Sequence, residues 1–115
     1  MELVELQCID NRLAHTRLKN NNVEKLLLLS IQQQNILQPL LVVQQQNQQH
    51  YVLIDGFKRY RCAQKLGINN APVDFIGTDV VCGIVTLLQR NASKGLTTFE
   101  QAALVDELHR NHSMN

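Results

Sequence analysis

Three cations follow a single glycine in the middle of this chain. Lys58, Arg59 and Arg61 come just after Asp55-Gly56-Phe57, within the stretch that runs from Tyr51 to Ala63. Guanidinium and ammonium groups hold phosphate and carboxylate oxygens through charge-assisted hydrogen bonds. The chemistry within reach is therefore anion binding. Tyr51 to Ile54 is a β-branched and aromatic run that predicts a strand. Phe57 to Leu66 contains no Gly or Pro until Gly67 and predicts a helix. A strand that turns at a glycine into a helix leaves first-turn amides without intrahelical acceptors, at the positive end of the dipole. Strand, glycine and basic helix start together form a phosphate cradle.

Helix geometry divides the cations. At about 100° per residue, Lys58, Arg61 and Lys65 share one face, while Arg59 falls beside the apolar stripe with Cys62, Ala63 and Leu66. An inward arginine needs an anionic partner or a path to water. Two readings stay open from the pattern alone. Arg59 receives an external anion, or it pairs with an acid such as Asp55 and the other cations form a solvated face.

The rest of the chain must position this turn. Its 115 residues suit one domain with one modest core. Hydrophobic residues make up 44% and aromatics only 4%, so the core must be mostly aliphatic. The net charge of +1 gives no global field, and attraction for an anion must be local. Cys8, Cys62 and Cys82 are widely spaced and form no CxxC pair, which fits reduced thiols in a cytoplasmic protein. No apolar run reaches membrane-spanning length, and Glu2 and Glu5 do not fit a signal peptide.

In chain order, Leu3 to Ile9 predicts one short strand with alternation at positions 4, 6 and 8, turned by Asp10-Asn11-Arg12. His15 reads as a solvated loop residue. Asn21 is expected to cap a helix that ends near Gln34, with Glu24 completing a capping box. Val23, Leu27, Ser30 and Ile31 share its face, with Leu26 beside it. Leu28 and Leu29 form a second buried face or an exposed patch for a partner, burial being favoured. Asn35 to Pro39 is a connector. Leu40 to Val43 and Tyr51 to Ile54 form a hairpin with a glutamine-rich tip.

Ala71 to Ile76 is a further strand. Gly77-Thr78-Asp79 opens a helix that ends near Arg90, with Val81, Ile84, Val85 and Leu88 on its apolar face. Gly83 marks close packing. Asn91 to Gly95 is a polar loop. Thr97 and Glu100 form a capping box for a last helix to about Arg110, with Leu104, Val105 and Leu108 inward. His109 and His112 read as surface residues, since a metal pair would lack a third ligand. The domain is read as residues 1–111 and a tail as 112–115. The order β, α, β, β, α, β, α, α predicts an α+β fold with a small mixed sheet.

These pieces together resemble the ParB N-terminal domain family, with its ParB/sulfiredoxin-like fold. The likeness runs from Leu3 to Leu108. It comprises Ile9-Asp10 with Arg17, then Leu26, Ser30-Ile31 and Leu37-Gln38-Pro39-Leu40. It continues through Tyr51 to Ala63 and ends on Gln89-Arg90 and Glu100-Gln101-Ala102. In partition-type members the basic segment contacts cytidine triphosphate, and the protein loads onto DNA as a clamp. The resemblance implies phosphate contacts from Gly56, Lys58, Arg59 and Arg61, with Gln38 and Arg17 lining the same pocket. The family's acidic residue after the glycine is replaced by Phe57. Relatives also carry a Glu-Asn pair, a magnesium ligand set by its look, shortly before the Gln-Arg step. Thr86-Leu87 stands there instead, so magnesium and triphosphate hydrolysis lose their support. The sulfiredoxin branch needs a cysteine where Phe57 stands, and Cys62 is expected to be a buried structural thiol.

The leading expectation is a nucleotide- or phosphate-binding module in a DNA-associated process such as partition, transposition or regulation. Ligand binding would reposition the last two helices. The Leu96 to Leu104 stretch looks closer to ParB-like proteins of mobile elements. CTP is the implied ligand; nucleotide or DNA phosphate and a second copy of the chain are the expected partners, with no membrane. Two other classes stay open. One is a metal-dependent triphosphatase or nuclease using Asp55 or Glu100. The other is a protein-interaction domain with Leu28 and Leu29 facing a partner. Partition proteins continue into a helix-turn-helix domain, so this chain is expected to be a fragment or a stand-alone relative.

Overall fold

The computed structural model describes residues 2–36, 38–44, 49–90 and 96–111. Leu37, the hairpin tip at 45–48, the loop at 91–95 and the expected tail at 112–115 lie outside the described residues.

Five strands form one mixed sheet: β1 (Glu2–Glu5), β2 (Ile9–Asp10), β3 (Leu40–Gln44), β4 (Tyr51–Asp55) and β5 (Asn70–Phe75). Four α-helices accompany it: α1 (Asn21–Gln34), α2 (Phe57–Lys65), α3 (Val80–Arg90) and α4 (Thr98–Asn111). The spatial order is β1-β5-β3-β4-β2. The outer pair β1/β5 and the hairpin β3/β4 are antiparallel, while β3/β5 and β2/β4 run parallel. The architecture is the expected α+β fold, a small mixed sheet packed with helices and ending on two of them.

The single strand expected at Leu3 to Ile9 is two strands at opposite edges of the sheet. A 3-10 turn at Leu6–Cys8 separates them. It shifts the side-chain phase, so that Leu6 and Ile9 are both buried although an odd number of positions separates them. The Leu6 amide donates to the Asn69 carbonyl at 2.8 Å, which fixes where the chain crosses.

The central strands are covered on both faces. Leu40, Val42, Val43, Val52, Leu53 and Ile54 are all buried, as uninterrupted apolar runs require. Gly83 seats α3 on this sheet: a Cβ there would lie 2.6 Å from Val43 Cγ1 and 3.1 Å from Ile54 Cγ1. The close packing expected of this glycine is therefore real. The buried face of α3 is Val80, Gly83, Ile84 and Leu87. Val81, Val85 and Leu88 pack partly buried at its margin. The helix is rotated from the expected face because contact centres on the glycine.

α1 packs on α2. Its cap is Asn20, one residue earlier than expected, with the Asn20 side chain accepting from the Val23 amide at 3.1 Å. Glu24 and Ile31 face inward, whereas Val23, Leu26 and Leu29 are exposed and Leu28 is half-buried. Of the face read from periodicity, Ile31 is buried and Leu27 half-buried but Val23 and Leu26 are exposed, and the burial favoured for Leu28 and Leu29 fails at Leu29, while Glu24 turns inward to an ionic partner within the fold. In α4, Leu104, Glu107 and Leu108 are buried and Val105 is exposed. α4 packs on α3 and on the turn at Ala14–Thr16. His15 is tied into that contact: its Nε2 lies 2.9 Å from Glu107 Oε1 and its Nδ1 3.2 Å from the Arg12 carbonyl.

Candidate anion-binding site

β4 delivers the chain to Gly56 with its backbone already paired on both sides. Gly56 then adopts φ 100° and ψ 26°, a left-handed conformation that favours glycine. A Cβ at this position would also meet Leu40 Cδ2 at 2.8 Å and Arg59 Nη2 at 3.2 Å. The glycine is needed for the sharp turn and for the close seating of Arg59 above it. Gly56 offers no side-chain cap to α2. The first-turn amides accordingly open toward the space in front of the helix.

That space is a cleft of about 310 Å³. Arg17, Asp55, Gly56, Lys58, Arg59 and Arg61 line its polar part, and Leu18, Val23, Leu27 and Phe57 its apolar part. The sequence reading brought forward Arg17, Gln38, Gly56, Lys58, Arg59 and Arg61. Five of these six line the cleft, and Gln38 joins through Arg59, whose Nη1 donates to Gln38 Oε1 at 3.2 Å. The apolar wall was not anticipated. Apart from Phe57, which follows the glycine itself, its residues come from α1 and the preceding loop, and no local spacing ties them to the turn.

The cations are not equivalent. Arg61 donates from Nη2 and Nε to the Glu24 carboxylate, at 2.8 Å to Oε1 and 3.1 Å to Oε2. Lys65 adds a contact to the same carboxylate at 3.6 Å. Arg61 therefore stitches α2 to α1 as well as bordering the cleft. Arg61 holds the Glu24 carboxyl below the usual carboxylate range, in spite of burial acting the other way. Arg17 donates to Asp55 and, at 3.4 Å, to Glu100. The acid expected for Arg59 is thus taken by Arg17.

Arg59 has a different environment. Its Nε is buried without a hydrogen-bond acceptor, and among the described residues its side chain bonds only to the neutral Gln38 amide. Burial holds the Arg59 guanidinium below the ordinary arginine value; Asp55 counteracts this and Arg17 adds to it. Lys58, like Arg59, forms no ion pair among the described residues. The cleft therefore presents positive charge that the fold itself does not neutralise.

Glu100 has a role that the sequence showed only in part. The capping box is present: Glu100 Oε1 accepts from the Thr97 amide at 3.2 Å, and Thr97 Oγ1 accepts from the Glu100 amide at 3.1 Å. Its other oxygen accepts from the Leu18 amide at 2.8 Å. Burial raises the Glu100 carboxyl, but the Leu18 and Thr97 amides and Arg17 outweigh it and hold the group below its ordinary range. Cys62 is buried, with its thiol pushed up chiefly by burial, as a structural cysteine should be.

The ParB N-terminal domain profile matches residues 2–80, more than half the chain. The chain belongs to the ParB N-terminal domain family. Solved structures show the same fold. The C-terminally truncated partition protein ParB of Caulobacter crescentus, complexed with CTP-γ-S, is similar with a TM-score of 0.65 at 19% identity, over 99% of this chain and 65% of that one. The same protein complexed to the centromeric parS site gives 0.55 at 22% identity, over 100% and 60%. Sulfiredoxin of Arabidopsis thaliana gives 0.57 at 28% identity, over 69% and 88%. This ParB-family domain spans less than two thirds of the partition proteins it matches. No curated protein matches the sequence. Phe57 is buried in the core at the position where the resemblance requires the sulfiredoxin cysteine.

Proposed function

We propose that this ParB-family domain is a phosphate-binding module of a DNA-associated process such as partition, transposition or regulation. Its cleft takes a CTP-like triphosphate or a DNA backbone phosphate, held by Lys58 and Arg59 at the start of α2 and by Arg17 and Arg61 at the sides. Gly56 provides close backbone approach, and Gln38 orients Arg59.

The observation that carries this reading is the Arg59 guanidinium. It is partly desolvated, carries a buried Nε with no acceptor, and is repelled by Arg17. A buried donor without a partner costs about 1–3 kcal/mol. An anion at the helix start would satisfy the arginine and the first-turn amides together. Support also comes from the similar Caulobacter protein, whose structures hold CTP-γ-S in one case and parS in the other.

Metal-dependent cleavage by Asp55 or Glu100 is the weaker reading, since both acids are tied by Arg17. A protein-facing surface has one observation in its favour: Leu26 is 69% and Leu29 55% exposed on α1. Such a surface would serve a second copy of the chain, and Leu29→Asp would abolish self-association.

Titration with CTP, ATP and short duplex DNA tests the main reading. Saturable binding of at least one ligand, weakening with added salt, is expected. Failure of all three to bind would refute it.

A further inference from the structure

The resemblance brings magnesium with it, and the residues of this chain do not fit that ion. The family's ligand pair would stand at Thr86 and Leu87. The Thr86 hydroxyl donates to the Cys82 carbonyl at 2.8 Å, and Leu87 is 1% exposed within the core. Neither position carries a carboxylate. One acid, Asp55, lines the cleft instead, and Glu100 reaches its edge through Arg17. Asp55 is held by Arg17, and Glu100 accepts from two backbone amides as well as from Arg17. Magnesium demands near-octahedral oxygen donors and gives up its water reluctantly. Recruiting Glu100 would release the Thr97 and Leu18 amides. Among the described residues, no three His, Cys, Asp or Glu side chains gather as a metal-holding group.

The cleft is instead rich in fixed cations: Arg17, Lys58, Arg59 and Arg61 all line it. Magnesium on a triphosphate occupies phosphate oxygens and cancels two of its charges. Both effects compete with guanidinium groups for the same ligand atoms. We propose that this cleft binds a nucleoside triphosphate as the metal-free anion, with Arg59, Lys58 and Arg17 providing the neutralisation that a divalent ion would otherwise give. The inference rests on the triphosphate form of the function proposed above. It further makes Asp55 a competitor of the ligand for Arg17, and not a metal ligand.

The test is calorimetric titration of the whole chain with CTP and with ATP, once in EDTA and once with excess magnesium chloride at matched ionic strength. Binding in EDTA as tight as in magnesium, or several-fold tighter, is the expected result. Affinity that falls more than about tenfold on removing magnesium overturns the inference while leaving the binding reading intact. No binding of either nucleotide in either buffer overturns the triphosphate reading and this inference with it. Asp55→Asn supplies a second arm, with folding checked by circular dichroism. The folded variant is expected to bind CTP several-fold more tightly in EDTA and to show no new dependence on magnesium. Loss of a magnesium-dependent component in this variant would mark Asp55 as a metal ligand and overturn the inference.

Discussion

Glu24 shows how a residue's job is set by a partner far along the chain. Its place three residues after Asn21 reads as half of a capping box, yet Arg61, 37 positions later, takes its carboxylate. The Arg61 hydrogen bond lowers the folded pKa from an ordinary value of 4.5. A lowered carboxylate pKa means stability that is complete above the unfolded value and lost as pH falls through the folded one. Glu24→Gln should therefore cost about 1.5–3 kcal/mol at neutral pH, the range for hydrogen bonds to charged groups. The gap to the parent should close as the pH drops below about 4. Urea denaturation at neutral and acid pH reads both values. A gap that stays constant across that range contradicts the ion-pair account.

At Gly56 the constraint comes from the backbone. Gly56→Ala places a Cβ at φ 100° and 2.8 Å from Leu40 Cδ2. The loss should be about 1–3 kcal/mol, the usual cost of a strained backbone position. It should appear as a lower denaturation midpoint with an unchanged slope. A midpoint equal to the parent's would show that the turn is not strained by a side chain.

Among the elements, the order of strands and helices was legible because each run has a clear period and clear punctuation. Gly56, Gly67 and the Thr97 to Glu100 box mark their boundaries directly. Orientation was less legible. The face of α1 is shifted by the Glu24 ion pair, so periodicity placed Ile31 inward correctly but not Val23 or Leu26. The division of Leu3 to Ile9 into two edge strands depends on a 3-10 turn, and alternation over so short a run cannot register one. Gly83 was read correctly because a glycine inside an apolar helix needs a packing reason. Gly83→Val should destabilise by about 1–3 kcal/mol through overpacking against Val43 and Ile54. Thermal unfolding of that variant checks it, and an unchanged midpoint would place α3 farther from the sheet.

Across the whole molecule, three distant segments meet at one arginine. Arg17 joins Asp55 at the end of β4 to Glu100 at the start of α4, over separations of 38 and 83 residues. The cations of the site were legible because they sit together beside Gly56. The acids that hold Arg17 were not, since charge alone does not reveal long-range pairing. Glu100→Ala should leave the Thr97 cap in place but strip the Thr97 and Leu18 amides of their acceptor, at about 0.5–1.5 kcal/mol for each bond, and loosen the Arg17 loop with them. Hydrogen exchange should then quicken both in the first turn of α4 and at Leu18, whose amide Glu100 accepts. Quickening confined to α4 would contradict the linkage.

The central claim is that Arg59 holds a vacant bonding capacity meant for an anion at the start of α2. Comparing the affinity of the parent chain and of Arg59→Ala for CTP, ATP and duplex DNA tests this directly. The account predicts that whichever ligand the parent binds is weakened by about 1–3 kcal/mol in the variant, with its fold intact. Equal affinities for the two proteins would contradict it.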